Sequence, residues 1–155
     1  MCFFPSMPTP DFNNSLMNNS SSFQLTVTQK TQLIALAKDT MLKAYAPYSQ
    51  FRVGAAILTE QGNIFTGCNV ENVSYGLTIC AERNAIAGAV ASEGGNEFKL
   101  KAIAIVNDRG IPCSPCGACR QVILEFGKDA VVIFQGENSY QSTTATQLLP
   151  TGFSF

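Results

Sequence analysis

The sequence predicts an α/β domain built from layered helices and strands. Segments with helical periodicity alternate with short apolar segments along the chain, as they do in layered α/β domains. The length of 155 residues suits one domain with a substantial core. Hydrophobic residues make up 46% of the chain and charged residues 14%. This balance argues against disorder over most of the length and suggests that some surface is hidden in an oligomer.

The first folded element is predicted to be a helix. Apolar side chains recur there at helical spacing, at Leu33, Ala37, Met41 and Ala44. We expect Thr28 to cap the start of this helix and Pro47 to end the run. Residues 1–24 are rich in Ser, Asn, Pro and Met, so we expect a mobile tail ahead of a folded domain over residues 25–155.

A hairpin is predicted after this helix. Residues 52–59 and 64–68 have the composition of strands, and the turn-forming residues 60–63 lie between them. A polar loop over residues 69–77 follows the second strand.

The middle of the chain is predicted to continue the alternation. An Ala-rich helix over residues 79–93 stops at Gly94. The nearly continuous apolar run at residues 100–106 is typical of a central strand, covered on both faces.

The last third is predicted to add a helix and two strands. We expect Ser114 to be the N-cap and Pro115 the first residue of a helix that runs to residue 126. A buried strand at residues 130–134 follows. A short strand near residue 140 and a half-turn at residues 147–149 complete the domain.

Three cysteines and one glutamate are the most informative feature, because the chain contains no histidine. Cys116 and Cys119 share one face of a predicted first helical turn, and Cys80 lies near the start of another helix. Helix N-termini favour thiolate over thiol. Three thiolates can hold a zinc ion with its fourth position open for water, and Glu82 could then move a proton of that water.

Two other uses of these cysteines remain open at this point. Cys113 could supply a fourth ligand and close the zinc site into a structural knot, although it precedes the predicted helix in extended chain. A redox dithiol would use a single C-x-x-C pair and leave Cys80 and Glu82 without a role.

The charge of a three-thiolate site predicts a role for two arginines. Three thiolates leave the zinc site with excess negative charge, which weakens the effect of the metal on water. Arg83 follows the first cysteine by three residues, and Arg120 directly follows the third. We expect either guanidinium to donate hydrogen bonds to sulfur from outside the ligand shell.

The net charge and the N-terminal sequence predict the partners and the cellular compartment of the protein. The net charge is −1 and no cluster of Lys and Arg occurs, so we expect no nucleic-acid partner. The start of the chain lacks the pattern of a signal peptide, and no apolar stretch approaches the ~20 residues of a membrane span. We therefore expect a cytoplasmic protein with reduced cysteines and no membrane partner.

Two motifs together make the chain resemble a known family. Cys80-Ala81-Glu82-Arg83 and Pro115-Cys116-Gly117-Ala118-Cys119-Arg120-Gln121 closely resemble the two signatures of the cytidine deaminases of pyrimidine salvage, in their small homotetrameric all-cysteine form. The resemblance covers residues 28–153. It implies a three-layer α/β/α fold with a mixed five-stranded sheet, and one Zn²⁺ per subunit.

The resemblance also implies the reaction. Cys80, Cys116 and Cys119 would bind the zinc ion, and Glu82 would take a proton from the zinc-bound water and protonate N3 of cytosine. Attack at C4 and loss of ammonia would convert cytidine to uridine, or deoxycytidine to deoxyuridine. We expect Cys113, which is extra to the motif, not to bind the metal.

The same resemblance implies how the nucleoside is held. Phe51 would pack on the pyrimidine ring, and Asn69 and Glu71 would hold the ribose 3′-hydroxyl. An amide and a carboxylate can serve a hydroxyl as donor and acceptor. Without the resemblance, a polar loop that caps its own backbone is the preferred interpretation of these two residues.

Main-chain groups and a second subunit would complete the pocket. The resemblance implies that the amide of Ala81 binds the base and that the carbonyl of Ser114 receives the leaving amine. Phe153, in the C-terminal motif, would reach into the pocket of a neighbouring subunit and stack on the base. We therefore expect a homotetramer whose active sites are shared between subunits.

Three rival functions are retained from the sequence. A deaminase of this architecture could act on an aminoacylnucleoside antibiotic, or on a polynucleotide, for which the near-neutral charge is unfavourable. The third rival is a zinc-stapled structural module without catalysis, in which Glu82 would have no role.

Overall fold

The computed structural model describes residues 24–154, which contain four α-helices and five strands, with a short 3-10 helix at Tyr75–Leu77 in the loop after the second strand. In chain order they are α1 (Val27–Met41), β1 (Val53–Thr59), β2 (Ile64–Cys68), α2 (Ala81–Glu93), β3 (Leu100–Asn107), α3 (Gly117–Phe126), β4 (Val131–Gln135), β5 (Tyr140–Thr144) and α4 (Ala145–Leu148). Between residues 24 and 154, none of the helices has the length and hydropathy of a membrane-spanning segment. All but one residue of the predicted tail at 1–24 lies outside the described residues, so the tail stays a prediction.

The strands form one mixed sheet with the order β2-β1-β3-β4-β5. β1 pairs antiparallel with both β2 and β3, β3 pairs parallel with β4, and β4 pairs antiparallel with β5. The parallel pair is joined through α3, because parallel strands need a crossover connection. The predicted mixed five-stranded sheet is confirmed.

The sheet is covered by helices on both faces. Successive residues of β1 point to opposite faces, so Ala56 and Leu58 pack in one apolar cluster with Leu33 of α1. Ala55 and Ile57 belong to the other cluster, which includes residues of α2 and α3. This arrangement is the predicted three-layer α/β/α architecture, and it places the N-termini of α2 and α3 on the same side of the sheet.

A glycine in β2 lets α2 begin directly against the sheet. A Cβ atom added at Gly67 would lie 2.5 Å from both the Ala81 oxygen and the Ala85 nitrogen. Real Cβ atoms are not found so close to backbone atoms. The absence of a side chain at Gly67 therefore sets how closely the first turn of α2, with Cys80 and Glu82, approaches β2.

The start of α1 differs from the prediction. Thr26, rather than Thr28, is the N-cap: its hydroxyl accepts a hydrogen bond from the Gln29 amide, and the Gln29 side chain accepts one from the Thr26 amide. This reciprocal pair is a capping box, which requires Gln three residues after the cap. Thr28 lies inside the first turn. α1 also ends at Met41, well before Pro47.

The other two long helices start at cysteines. Cys80 is the N-cap of α2, and Cys116 is the N-cap of α3. The predicted cap at Ser114 with Pro115 as first helical residue is therefore wrong. The amide of Cys113 donates to the Gln135 oxygen at 2.9 Å, and this bond holds the chain beside β4 up to the point where the helix begins.

Candidate active site

Three cysteine sulfurs converge at the N-termini of α2 and α3. The Sγ atoms of Cys80, Cys116 and Cys119 all lie within 4.8 Å of one another. Cys119 is buried, Cys80 is half-buried and Cys116 is exposed. The group contains neither Cys113 nor Glu82. The donor set fits zinc, which favours thiolate ligands and takes three protein ligands when one position is kept open.

The electrostatics of the cluster also suit a cation. Hydrogen bonding from the Cys119 thiol lowers the pKa of Cys80 to about 5, against the effect of burial, and Arg83 contributes a hydrogen bond and its charge. The same bond to Cys80, together with burial, raises the pKa of Cys119. One thiolate is thus already favoured, and a divalent cation would displace the remaining thiol protons, since only thiolates are strong ligands.

Cys113 stands apart from the cluster. It is half-buried, and burial raises the pKa of its thiol, with the nearby negative charges of Glu82 and Cys80 acting in the same direction. A neutral thiol is a poor zinc ligand. Among the described residues, the geometry therefore leaves the cluster with three sulfurs.

Glu82 is a buried carboxyl group beside the cluster. It lies in the first turn of α2, and its side chain is only 5% exposed. Burial raises the pKa of Glu82, and the charge of Cys80 adds to the increase. A carboxylate with a raised pKa next to a metal site can both accept and release a proton near neutral pH.

The two arginines act differently. Arg83 donates from Nη2 to the Cys80 sulfur at 3.8 Å and to the Thr78 oxygen at 3.2 Å. Arg120 instead donates to the oxygens of Pro115, Leu148 and the Ser114 hydroxyl, at 2.7, 3.2 and 3.0 Å. The expected sulfur bond from Arg120 is therefore wrong. Its position in α3 directs the guanidinium towards α4 and the segment before the helix.

An open cleft of about 270 Å³ runs over the cluster. Its wall brings together most of the site residues expected from the sequence: Phe51, Asn69, Glu71, Cys80, Ala81, Glu82, Ser114 and Cys116. Cys113 also lines it, as do Ser49, Val53 and Thr78, which sequence reasoning did not single out. Ser49 and Val53 flank Phe51 closely enough to have been suspected, whereas no sequence signal marks Thr78.

Asn69 and Glu71 hold the backbone on which Phe51 is carried. Asn69 accepts from the Val53 amide at 2.8 Å and donates to the Phe51 oxygen at 2.9 Å. Glu71 accepts from the amides of Tyr48 and Ser49 at 2.8 and 3.3 Å. Asn69 and Glu71 therefore both hold backbone groups in place. From the sequence, this backbone role was the alternative to ribose binding.

Glu71 nevertheless keeps the capacity to bind a ligand. A hydrogen bond from the Ser49 side chain lowers the pKa of Glu71, against a desolvation effect, and the two backbone amides lower it further. Its carboxylate therefore stays ionised, and an ionised carboxylate has about four lone-pair sites for donors. Its position on the cleft wall makes those sites accessible to a hydroxyl group.

Phe153 does not line the cleft of its own chain. Its side chain is 67% exposed, although it follows directly on the packed segment at the end of α4. Its ring is therefore accessible to contact from another molecule.

The fold and the site define a class of protein. A mixed sheet between helix layers, with three thiols and a buried carboxyl group at two helix N-termini, is the framework of zinc-binding deaminase domains. Residues 27–135 match the family model for the cytidine and deoxycytidylate deaminase zinc-binding region. The chain belongs to this family.

Relatives and solved structures agree with the assignment. A cytidine deaminase of Sporosarcina psychrophila is 50% identical over 125 residues, which cover 79% of this chain and 90% of the relative. The crystal structure of cytidine deaminase from Burkholderia pseudomallei is 48% identical with a TM-score of 0.71, over 79% of this chain and 98% of that one. The structure of the Mycobacterium tuberculosis cytidine deaminase is 39% identical with a TM-score of 0.72, over 81% and 98%. The predicted family and fold are confirmed.

Proposed function

We propose that this chain deaminates cytidine and 2′-deoxycytidine by hydrolysis, giving uridine and 2′-deoxyuridine with release of ammonia. The observation that carries the proposal is the buried Glu82 carboxyl group beside the three-sulfur cluster, on the wall of a cleft. A structural zinc knot would need neither the buried acid nor the open cleft. A redox dithiol would need only two of the three sulfurs.

Cys80, Cys116 and Cys119 would hold the zinc ion. When bound, zinc supplies the Lewis acidity that makes a water molecule nucleophilic near neutral pH. Arg83 supports this by donating to the Cys80 sulfur, which offsets part of the excess negative charge of three thiolates.

Glu82 would carry the protons of the reaction. It accepts a proton from the attacking water and delivers a proton to N3 of the cytosine ring as the new C4–O bond forms. It then takes the proton of the new C4 hydroxyl group and passes it to the C4 amino group, so that the C4 carbonyl forms, the C4–N bond breaks and ammonia leaves. The raised pKa that burial confers on Glu82 suits this two-way transfer.

Residues around the cleft would hold the nucleoside. Phe51 would pack on the pyrimidine ring, and the Ala81 amide and Ser114 carbonyl would hydrogen-bond the base and the leaving amine. Asn69 and Glu71 would bind the ribose 3′-hydroxyl. All five residues line the cleft, which supports these roles.

The assembly would be a homotetramer with active sites shared between subunits. Several large apolar side chains in the segment between Glu71 and Thr78, two residues of the cleft wall, are exposed in the single chain, at 78% for Val73, 76% for Tyr75 and 65% for Leu77. Large contiguous apolar surface is typical of protein interfaces. In such an assembly, Phe153 of one subunit would stack on the base in the site of another.

The cellular role would be salvage of free pyrimidine nucleosides in the cytoplasm. The net charge of −1 supports a small neutral substrate over a polynucleotide. We include no nucleic acid and no membrane among the proposed partners.

Metal analysis and turnover of wild type and Glu82→Gln test the proposal. We expect one zinc per chain in both proteins. Loss of ultraviolet absorbance from cytidine and deoxycytidine should occur with wild type alone, since an amide cannot take up the proton. A silent Glu82→Gln change would support the structural module instead. Turnover of an aminoacylnucleoside antibiotic without turnover of cytidine would contradict the substrate assignment, as would tight binding of single-stranded RNA.

A further inference from the structure

We propose that Arg109 is a positioning residue that clamps the segment carrying Phe51 in its cleft-facing conformation. The inference rests on the proposed function, because Phe51 matters here as the surface on which the pyrimidine ring packs. Arg109 lies in the turn that follows β3, far from Phe51 in the sequence. Its guanidinium carbon lies over the Phe51 ring, 5.2 Å from the ring centroid.

The segment that carries Phe51 has no regular structure of its own. It lies between α1 and β1, and Gln50 has a φ of +52°. That left-handed conformation is unfavourable for glutamine, because the region is visited readily by glycine and, among other residues, mainly by asparagine and aspartate. Contacts from elsewhere must therefore hold the segment in place.

Arg109 makes contacts on both sides of Gln50, in addition to those of Asn69 and Glu71. Its Nη2 donates to the Ser49 oxygen at 3.2 Å and to the Gln50 oxygen at 3.0 Å. The same side chain lies over the ring of the next residue, Phe51. One planar guanidinium thus orients two carbonyl groups and an aromatic face, a combination that the ammonium group of lysine cannot reproduce.

The turn that presents Arg109 is itself ordered. The Asn107 side chain accepts from the amides of Arg109 and Ile111 at 3.0 and 3.3 Å, and it donates to the Ile111 oxygen at 2.8 Å. Asn107 is only 9% exposed. Hydrogen bonds from the buried Asn107 side chain therefore fix the turn that carries the Arg109 guanidinium.

A neighbouring ion pair joins the same two segments. Asp108 accepts from Arg52 Nε at 3.1 Å and from the Arg52 amide at 3.2 Å, while its own amide donates to the Arg52 oxygen at 3.1 Å. Arg109 and Asp108 thus act together. Asp108 anchors the turn to Arg52, just before β1, and Arg109 sets the geometry of Ser49 and Gln50.

Steady-state kinetics of Arg109→Ala test the role. If Phe51 contributes to binding in both the ground state and the transition state, its misplacement raises KM and leaves kcat nearly unchanged. We expect KM for cytidine to rise roughly fivefold, with kcat within about twofold of wild type. The KM of Arg109→Lys should lie between those of wild type and Arg109→Ala. Lys99→Ala, which removes an exposed cation at the opposite end of β3, is the matched control and should leave KM unchanged.

A double-mutant cycle separates a clamp from direct contact with substrate. In a Phe51→Ala background, adding Arg109→Ala should change KM by less than about twofold, because the ring that Arg109 positions is gone. An unchanged KM in the Arg109→Ala single variant would overturn the proposal. The same fold increase with and without Phe51 would also overturn it.

Amide hydrogen exchange tests the Arg109 clamp independently of deaminase activity. Amide hydrogen exchange in residues 48–51 should accelerate in Arg109→Ala and stay unchanged in Lys99→Ala, whereas exchange in β1 should be the same in all three proteins. Failure of wild type to deaminate cytidine would refute the proposed function. Unaltered exchange at residues 48–51 would refute the clamp.

Discussion

The Gln121 side chain forms a two-point hydrogen bond with the backbone of Phe153. Its Nε2 donates to the Phe153 oxygen at 2.8 Å, and its Oε1 accepts from the Phe153 amide at 3.0 Å. Gly152 packs so closely on Leu124 that a Cβ atom added there would clash with the Leu124 Cδ2 atom, and the leucine side chain would have to shift. Phe153 is therefore held outward by α3, the same helix that carries Cys119.

Changing Gln121→Glu should weaken nucleoside turnover through Phe153. A carboxylate cannot donate to the Phe153 oxygen and places a negative charge against it, so the aromatic side chain loses its fixed direction. We expect kcat/KM for cytidine to fall on the order of tenfold with zinc content unchanged. Gln32→Glu makes the same charge change on the exposed surface of α1 and serves as control. A Gln121→Glu enzyme as active as wild type, alongside an impaired Phe153→Ala enzyme, would contradict this account.

Cys113 and Cys116 should differ sharply when each is changed to serine. Cys116 belongs to the three-sulfur cluster and Cys113 does not, so Cys116→Ser should lose zinc and Cys113→Ser should keep one zinc per chain. Elemental analysis of the purified proteins checks the prediction. Loss of zinc in Cys113→Ser, with retention in Cys116→Ser, would assign the ligand set differently.

Gly67→Ala should destabilise the fold where α2 meets the sheet. The new methyl group would meet the Ala81 oxygen and the Ala85 nitrogen at 2.5 Å, which are rigid backbone atoms. We expect a loss of about 1–3 kcal/mol in the free energy of unfolding, and weaker zinc binding because Cys80 moves with the helix.

The matched control for this change is a glycine in α2, the helix whose first turn packs on Gly67. At Gly88, an added Cβ would have no heavy atom within 4 Å apart from the neighbouring backbone of its own helix, and alanine is the better helix former by about 0.5–1 kcal/mol. Gly88→Ala should therefore unfold at an equal or higher urea concentration than wild type. Equal destabilisation by both substitutions would show that close packing at Gly67 is not the cause.

The Arg52–Asp108 ion pair should make stability depend on pH in the acid range. Burial acts to raise the pKa of Asp108, but hydrogen bonds from the Arg52 side chain and amide outweigh it and hold the pKa below the ordinary value of 3.8. A lowered folded-state pKa stabilises the protein fully above the unfolded-state pKa, and this contribution is lost as the pH falls through the folded-state pKa.

Urea unfolding of wild type and Asp108→Asn at several pH values measures this contribution. The wild type should be more stable by at most about 1 kcal/mol at pH near 7, since the pair is partly exposed. The difference should shrink below about pH 4. Asp129→Asn removes an exposed carboxylate that has no ion pair within residues 24–154, and should show no such trend. A difference between wild type and Asp108→Asn that grows towards low pH would contradict the sign of the effect.

Local patterns predicted the elements well, and their ends less well. β2 has the predicted bounds because a strand beside a four-residue polar turn is specified by nearby residues. The cap of α1 was misplaced although its signal was present, since Gln29 lies three residues after Thr26 and not after Thr28. Ser114 and Pro115 did not predict the start of α3 correctly. The hydrogen bond from the Cys113 amide to Gln135 of β4 keeps the segment before Cys116 extended.

The sequence by itself determined the chemistry of the site: which residues offer sulfur, that no imidazole competes, and that a carboxyl group follows Cys80 at short spacing. These properties belong to side chains and to their nearest neighbours. Only the tertiary structure decided that Arg83 and not Arg120 faces a sulfur, that Asn69 and Glu71 support the Phe51 segment, and that Arg109 reaches across to it. Such contacts join residues far apart in the chain, and their geometry is set by how helices and turns pack on the sheet.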